Sequence, residues 1–256
     1  MKILVAVKQV PARDAPLRID ASGRWIQEDG LSFEINEPDA YALEAALQLK
    51  EKHGGEVVVV SAGPARAAQA IREALAKGAD RAIHVDQERL ENWDTLGVAG
   101  LLARAMESEK ADLILTGLQS DDLGYGQMGC VLAELLGLPH ATIIMQVEKL
   151  DGSIRVKREL EEGWFENIEI PLPALLTIQS GITRLRYATL MGIKKAKTKE
   201  IRRVAAADIA TSAAPAVEIS RVYAPHKTKQ TEILTGNAQE AAAKLVERLK
   251  FGARVL

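Results

Sequence analysis

Apolar residues in this chain fall into short continuous runs separated by segments of helical spacing. Ile3 to Val7 is the first run, and its β-branched content predicts a strand buried on both faces. A polar excursion from Gln9 to Asn36 follows, with a turn at Asp20-Ala21-Ser22-Gly23. Pro38-Asp39 opens a helix carrying Leu43, Ala46, Leu47 and Leu49, which His53-Gly54-Gly55 stops. Val57 to Val60 is a second strand, and a helix runs from Pro64 through Ile71 and Leu75 to Gly78. Arg81 to Val85 is a third strand, Thr95 to Met106 a helix, and Leu113 to Leu115 a fourth strand. A helix from Gln127 to Leu136 ends at Gly137-Leu138-Pro139. Strands alternating with helices of this length predict a doubly wound, mostly parallel α/β sheet of the Rossmann-like nucleotide-binding kind.

The pattern changes after His140. Thr142 to Val147 and Ile154 to Arg158 flank Asp151-Gly152, a hairpin signal. Phe165 to Ile170 alternates, and Pro171-Leu172-Pro173 leads into the apolar run Ala174 to Ile178. These segments predict a mixed sheet edge, with an antiparallel hairpin addition, attached to the parallel core. From Leu190 onward strand character is lost. A basic stretch, the Ala-rich segment Ala205 to Ala216, and an amphipathic helix from Asn237 to Lys250 make up a C-terminal extension. The expected division is an α/β nucleotide-binding domain over 1–189 and an arm over 190–256 that packs on another subunit.

Composition narrows the function classes. A formal net charge of −2 gives no global attraction to nucleic acid or membrane. Aromatics at 4% argue against base-stacking platforms. Cys130 is the single cysteine, so no intrachain disulfide or Cys-rich metal site can form. His53, His84, His140 and His226 show no metal-ligand spacing. The first apolar run is too short for a signal sequence, and no stretch approaches the ~20 apolar residues of a membrane helix. A cytoplasmic location is expected.

In an open parallel sheet, ligands bind at the carboxyl ends of the strands. Those ends are Ala6-Val7-Lys8, Ser61-Ala62-Gly63-Pro64, His84-Val85-Asp86 and the loop from Gly117 to Gly129. The loop runs from a buried strand straight into a helix and carries Gly117, Gly124, Gly126 and Gly129. Glycines let a backbone approach a ligand, and a helix N-terminus offers free N–H groups to a phosphate. Asp121 and Asp122 suit ribose hydroxyls, backbone N–H groups or a helix cap. The loop fits neither the Walker nor the GxGxxG pattern. No nucleophile or acid–base constellation stands out. Glu159, Glu161 and Glu162 read on their own as a solvated face.

Three segments nevertheless resemble the β subunits of electron-transfer flavoproteins. They are Val5-Ala6-Val7-Lys8 with Asn36 and the helix through Glu44; Ala74 to Val85 with the Gly117 to Gly129 loop; and Val156 to Gly163 with Pro173 to Thr177, leading into Arg186-Tyr187-Ala188-Thr189-Leu190. The resemblance implies a heterodimer with an α subunit that holds most of an FAD shared at the interface. Electrons would arrive from acyl-CoA or other dehydrogenases and leave to a quinone oxidoreductase or another acceptor. It implies AMP in the crevice of this chain, at Ala6, Asn36, Asp39, Ala62, Gly117, Gln119, Ser120, Asp121, Asp122, Gly124, Gly126, Gln127, Met128 and Gly129. Glu159 matches a glutamate near the flavin interface. Leu190, with Met191 beside it, matches the leucine that anchors partner dehydrogenases. Met128 stands where the family's usual loop has a threonine, and Leu118 where the loop of electron-bifurcating members has an arginine. A second FAD in place of AMP therefore remains the alternative.

Two other functions can be built on the same sheet. A stand-alone nucleotide-binding stress-type protein has no use for the tail after Leu190. A nucleotide-dependent ligase wants a phosphate loop after the first strand, and Lys8-Gln9-Val10-Pro11 is not one.

Overall fold

The computed structural model describes residues 1–89, 93–209, 215–225 and 231–256; His226 and positions 210–214 of the Ala-rich segment lie outside the described residues. In chain order the elements are β1 (Lys2–Ala6), β2 (Gln9–Pro11), β3 (Phe33–Ile35), α1 (Glu37–His53), β4 (Glu56–Gly63), α2 (Ala68–Lys77), β5 (Arg81–Asp86), α3 (Thr95–Glu107), β6 (Leu113–Gly117) and α4 (Met128–Leu136). They continue with β7 (His140–Lys149), β8 (Ser153–Glu159), β9 (Phe165–Pro171), β10 (Ala174–Ile178), α5 (Leu190–Ala196), β11 (Ile201–Ala205) and α6 (Ala238–Glu247). Chain contacts divide into a unit over Met1–Val222 and a second over Tyr223–Leu256.

The first unit holds a nine-stranded sheet in the order β11-β5-β4-β1-β6-β10-β7-β8-β9. β11 through β7 pair in parallel, and β7, β8 and β9 form the antiparallel addition; Ala174–Ile178, expected at the sheet edge, is instead β10, inside the parallel core between β6 and β7, because its five residues are buried on both faces. The alternating faces of the central strands build two cores. Ile3, Val5, Val57 and Val59 pack with α1 and α2, while Leu4, Val58, Val60 and Ile83 pack with α3 and α4. Burial on both faces is why these strands are continuous apolar runs.

Three further features differ from the expectation. The polar excursion contains β2 and β3, paired antiparallel with Gln9 opposite Ile35. Its predicted turn is present: Asp20 Oδ1 accepts from Ser22 N at 3.0 Å, and Gly23 has φ +68. Secondly, the chain regains strand character after Leu190. β11 pairs in parallel with β5, and Arg202 Nη2 reaches Glu109 Oε1 at 3.3 Å, where Arg81 and Lys2 also converge. Thirdly, β7 is not one straight strand. Ile143 takes φ +60, and the pairing with β8 shifts between Ile144 and Gln146. The second half of β7 lies against the C-terminal half of α1, with Met145 and Val147 lining one groove with Ala45 and Leu49.

In the second unit, Asn237 accepts from Glu240 N, and Glu240 returns a bond to the Asn237 amide, a capping box that starts α6. A π-helical turn over Arg248–Ala253 follows. Among the described residues no helix is long and apolar enough to cross a membrane.

Candidate functional site

β1, β4 and β6 end side by side, which brings Ala6, Ala62 and Gly117 to one end of the sheet. The N-terminus of α1 closes that end. Asp39, in its first turn and 7% exposed, accepts from Lys8 N at 2.7 Å and Gly117 N at 2.9 Å. One buried carboxylate thus ties the ends of β1 and β6 to α1. Burial pushes the Asp39 carboxyl up to about 6, opposed by the Lys8 and Gly117 amides and the Asn36 side chain. A carboxyl that is a weaker acid when folded (about 6 against 3.8) binds more protons in the folded state between those values. Stability attributable to Asp39 is therefore present at low pH and lost as pH rises from about 4 to 6, by about 3 kcal/mol. Unfolding free energies of wild type and Asp39→Asn, followed across that window, should shift against wild type as pH rises. A constant difference would show that Asp39 does not titrate there.

The loop between β6 and α4 is clipped to α1 as well. Asn36 donates from Nδ2 to the Gln119 carbonyl at 3.0 Å and accepts at Oδ1 from Asp121 N at 2.9 Å. Asp121 in turn accepts from Glu37 N at 3.3 Å, satisfying one orphan amide at the start of α1. Asp122 pairs with Lys8 Nζ at 2.6 Å. Burial pushes the Asp122 carboxyl up, but the Lys8 charge and the hydrogen bonds outweigh it, so its pKa ends below the usual value. Both aspartates bind their own chain here, as a helix cap and as half of an ion pair. Lys8 was not among the candidate site residues. Its signal in the sequence is a lone cation directly after the first buried strand.

The four loop glycines have two different reasons to be glycine. A Cβ on Gly117 would stand 2.4 Å from Asp39 Oδ1, and one on Gly129 would stand 2.3 Å from Thr177 Cγ2. These two allow α1 and α4 to approach the strand ends. Gly124 and Gly126 instead take φ +66 and +64, and a Cβ on either would meet nothing nearer than 3.8 Å. The second pair therefore borders open space. Ser120 turns the loop by accepting from Gly124 N at its carbonyl, 2.9 Å. Gln127 precedes α4 without capping it through its side chain, so the amides of the first turn, from Met128 and Gly129 onward, have no side-chain cap there. Strand ends, glycine backbone beside open space and a helix start without a side-chain cap thus meet at one end of the sheet.

Glu159 ends β8, next to the residue that follows β10. Its carboxylate accepts from Gln179 Nε2 at 3.4 Å, and the neighbouring Ile178 carbonyl accepts from Leu118 N at 2.9 Å. Leu190 and Met191 are elsewhere, on α5, whose range shows helix where no periodicity was visible. Thr189 caps it by accepting from Gly192 N at 3.0 Å. Leu190 is 81% exposed and Met191 61%. No group of three His, Cys, Asp or Glu side chains that could hold a metal occurs among the described residues.

A sequence profile of the electron transfer flavoprotein domain matches residues 24–209. The chain is 41% identical to the electron transfer flavoprotein subunit beta of Methylophilus methylotrophus, over 96% of this chain and 97% of that one. It is 36% identical to the subunit of the same description in Bacillus subtilis, over 90% and 91%, and 35% identical to that of Homo sapiens, over 96% and 97%. Matches of this identity, spanning nearly the whole length of each protein, show that the chain belongs to the electron transfer flavoprotein β-subunit family and so to a machinery of electron transfer.

Proposed function

We propose that this chain pairs with an electron-transfer flavoprotein α subunit and carries a structural AMP in its crevice, the FAD being held mainly by α at the shared interface. The pair takes electrons from dehydrogenases, acyl-CoA dehydrogenases among them, and delivers them to a quinone oxidoreductase or another acceptor. The observation that carries the AMP assignment is the pair Gly124 and Gly126, left-handed and bordering open space beside the uncapped start of α4. FAD supplies the redox chemistry. The residues of this chain hold and orient: Asp39 and Asn36 fix the loop, the first α4 amides meet the phosphate, and Glu159 faces the flavin-bearing domain of α.

Met128 offers no hydroxyl to a phosphate. A second FAD in place of AMP is the alternative. Denaturing the purified complex and quantifying released nucleotides separates them. One FAD and one AMP per heterodimer is the expected result, and two FAD with no AMP would move the protein to the electron-bifurcating class. Release of no adenine nucleotide beyond one FAD would remove the crevice assignment.

Docking of dehydrogenases is assigned to α5. Its exposed Leu190 and Met191 lie beside Lys194, Lys195 and Lys197, an apolar anchor among charges that suits a small transient interface.

A further inference from the structure

The route that carries the chain from β10 to β11 explains how an exposed apolar helix stays in one place. β10 lies in the middle of the sheet and β11 at its edge, with β6, β1, β4 and β5 between them. The connection crosses about five strand spacings, roughly 24 Å, and from Gln179 to Thr189 it has neither helix nor strand. It is held by side chains on α1. Gln48 Nε2 bonds Thr183 Oγ1 at 2.8 Å and Glu44 Oε1 at 2.9 Å. Arg186 then lies along two turns of α1. Its Nε and Nη2 donate to both oxygens of Glu44 at 2.7 and 3.0 Å, and its Nη1 and Nη2 donate to both oxygens of Glu51 at 2.6 and 3.1 Å.

These are two fork-like pairs from a single guanidinium, and one of them is to a buried carboxylate: the Glu44 side chain is 5% exposed. The next residue, Tyr187, is 92% exposed, and Leu190 follows three positions later. At the other end, Arg72 Nη1 donates to the Ala196 and Lys199 carbonyls, and Lys199 Nζ donates to the Leu75 carbonyl at 3.0 Å. A Cβ on Gly192 would stand 2.2 Å from the Ala76 carbonyl, so α5 sits tight on α2. α5 thus meets α2 closely at Gly192 and again at its C-terminal end, with an open cavity lined by Arg72, Glu73, Ala76, Ile193 and Ala196 between the two helices, and Arg186 is the fixing point of the irregular chain that enters it.

We propose that Arg186, through Glu44 and Glu51, is a positioning residue that presents α5 for docking in a single geometry. The proposal rests on the assignment of α5 as the docking element. A rigid α5 meets its partner already ordered, whereas a loose one would pay its ordering entropy at every encounter. Lysine can keep the charge but not the fork, because a single ammonium cannot serve both carboxylates in that planar arrangement.

The test uses the intact heterodimer and an acyl-CoA dehydrogenase that reduces it. Arg186→Lys is chosen because removing the cation altogether would strand the buried Glu44 charge and could unfold the chain. Glu51→Gln is the second variant, since it loosens one pair at a side chain that is 59% exposed. In both, amide hydrogen exchange over 190–196 should accelerate, while FAD content and dithionite reduction stay unchanged. KM for the heterodimer should rise, by about tenfold in Arg186→Lys, with kcat within about twofold, the pattern of a weakened encounter rather than altered chemistry. Unchanged exchange in Arg186→Lys overturns the proposal. So does faster exchange with an unchanged KM when Leu190→Ala raises KM, and in that case docking at α5 stands without the clamp. If Leu190→Ala leaves KM unchanged, the docking assignment fails and the positioning role fails with it.

Discussion

Gly117→Ala should lower the stability of the protein by about 3–5 kcal/mol, a large part of the ~5–15 kcal/mol that holds a typical domain together. The added Cβ would sit 2.4 Å from Asp39 Oδ1, 2.7 Å from Pro38 Cβ and 2.8 Å from Asp39 N. Pro38 Cβ and Asp39 N move only with the backbone, and Asp39 Oδ1 ends a side chain that is buried and hydrogen-bonded. They form the start of α1, which Asp39 fixes to Lys8 and Gly117 and which Asn36 and Asp121 fix to the loop. Relieving the clash means lifting α1 off the end of β6. Overpacking of this sort costs about 1–3 kcal/mol, and losing the Gly117 amide's bond to a buried carboxylate adds about 1.5–3 kcal/mol. Gly124→Ala is the control. Its Cβ meets only the Ser120 carbonyl, at 3.9 Å, so the cost is the left-handed φ of +66 alone, about 1–2 kcal/mol. Urea titrations should show the midpoint falling about 1.5-fold or more further for Gly117→Ala than for Gly124→Ala, with unchanged slope. Equal losses would mean that backbone conformation, and not the approach of α1, requires glycine at position 117.

The contrast between those two glycines also shows what a sequence can convey about the site. The cluster Gly117, Gly124, Gly126, Gly129 between a strand and a helix is visible as a pattern. The reason for each glycine is not, because the atoms crowding Gly117 come from residues 78 and 79 positions earlier in the chain. Asp39 is similar: its partners, the amides of Lys8 and Gly117, lie 31 and 78 positions away. β1, β4 and β6 are legible because both their faces are buried, which leaves unbroken apolar runs. β11 is an edge strand with Arg202 and Arg203 exposed, and edge strands are protected by such charges, so its sequence reads as a basic tail. α5 has seven residues, too few for an apolar period to repeat; its one local signal is the capping Thr189. The break in β7 depends on a left-handed Ile143, a conformation that a β-branched residue does not advertise.

Leu190→Ala should weaken reduction by a dehydrogenase by about 30- to 1,000-fold in kcat/KM, the equivalent of a 2–4 kcal/mol hot spot, while leaving the fold intact. A leucine in a core would show the reverse. Truncating a buried leucine costs about 2–5 kcal/mol, whereas this one is 81% exposed, so the stability change should stay within about 0.5 kcal/mol. The helix beneath it is held by the Thr189 cap and by the approach of Gly192 to Ala76, neither of which involves the Leu190 side chain. The charges around it divide in two. Lys194, Lys195 and Lys197 are exposed, but Lys199 is not part of that ring. Its ammonium is turned inward to the Leu75 carbonyl of α2 and the Ala79 carbonyl just after that helix, and burial pushes its pKa down. Neutralising Lys194 and Lys195 together should therefore slow encounter and flatten its dependence on salt, because exposed charges act at long range and are screened within about 10 Å at 0.1 M ionic strength. Lys199→Gln should instead loosen α2 against α5 and show as a loss of stability. A Leu190→Ala protein that melts normally and is still reduced at the wild-type rate would end the assignment of α5 as the docking element. A protein that melts early and is reduced normally would place Leu190 in a packed interface and end its role as a docking anchor.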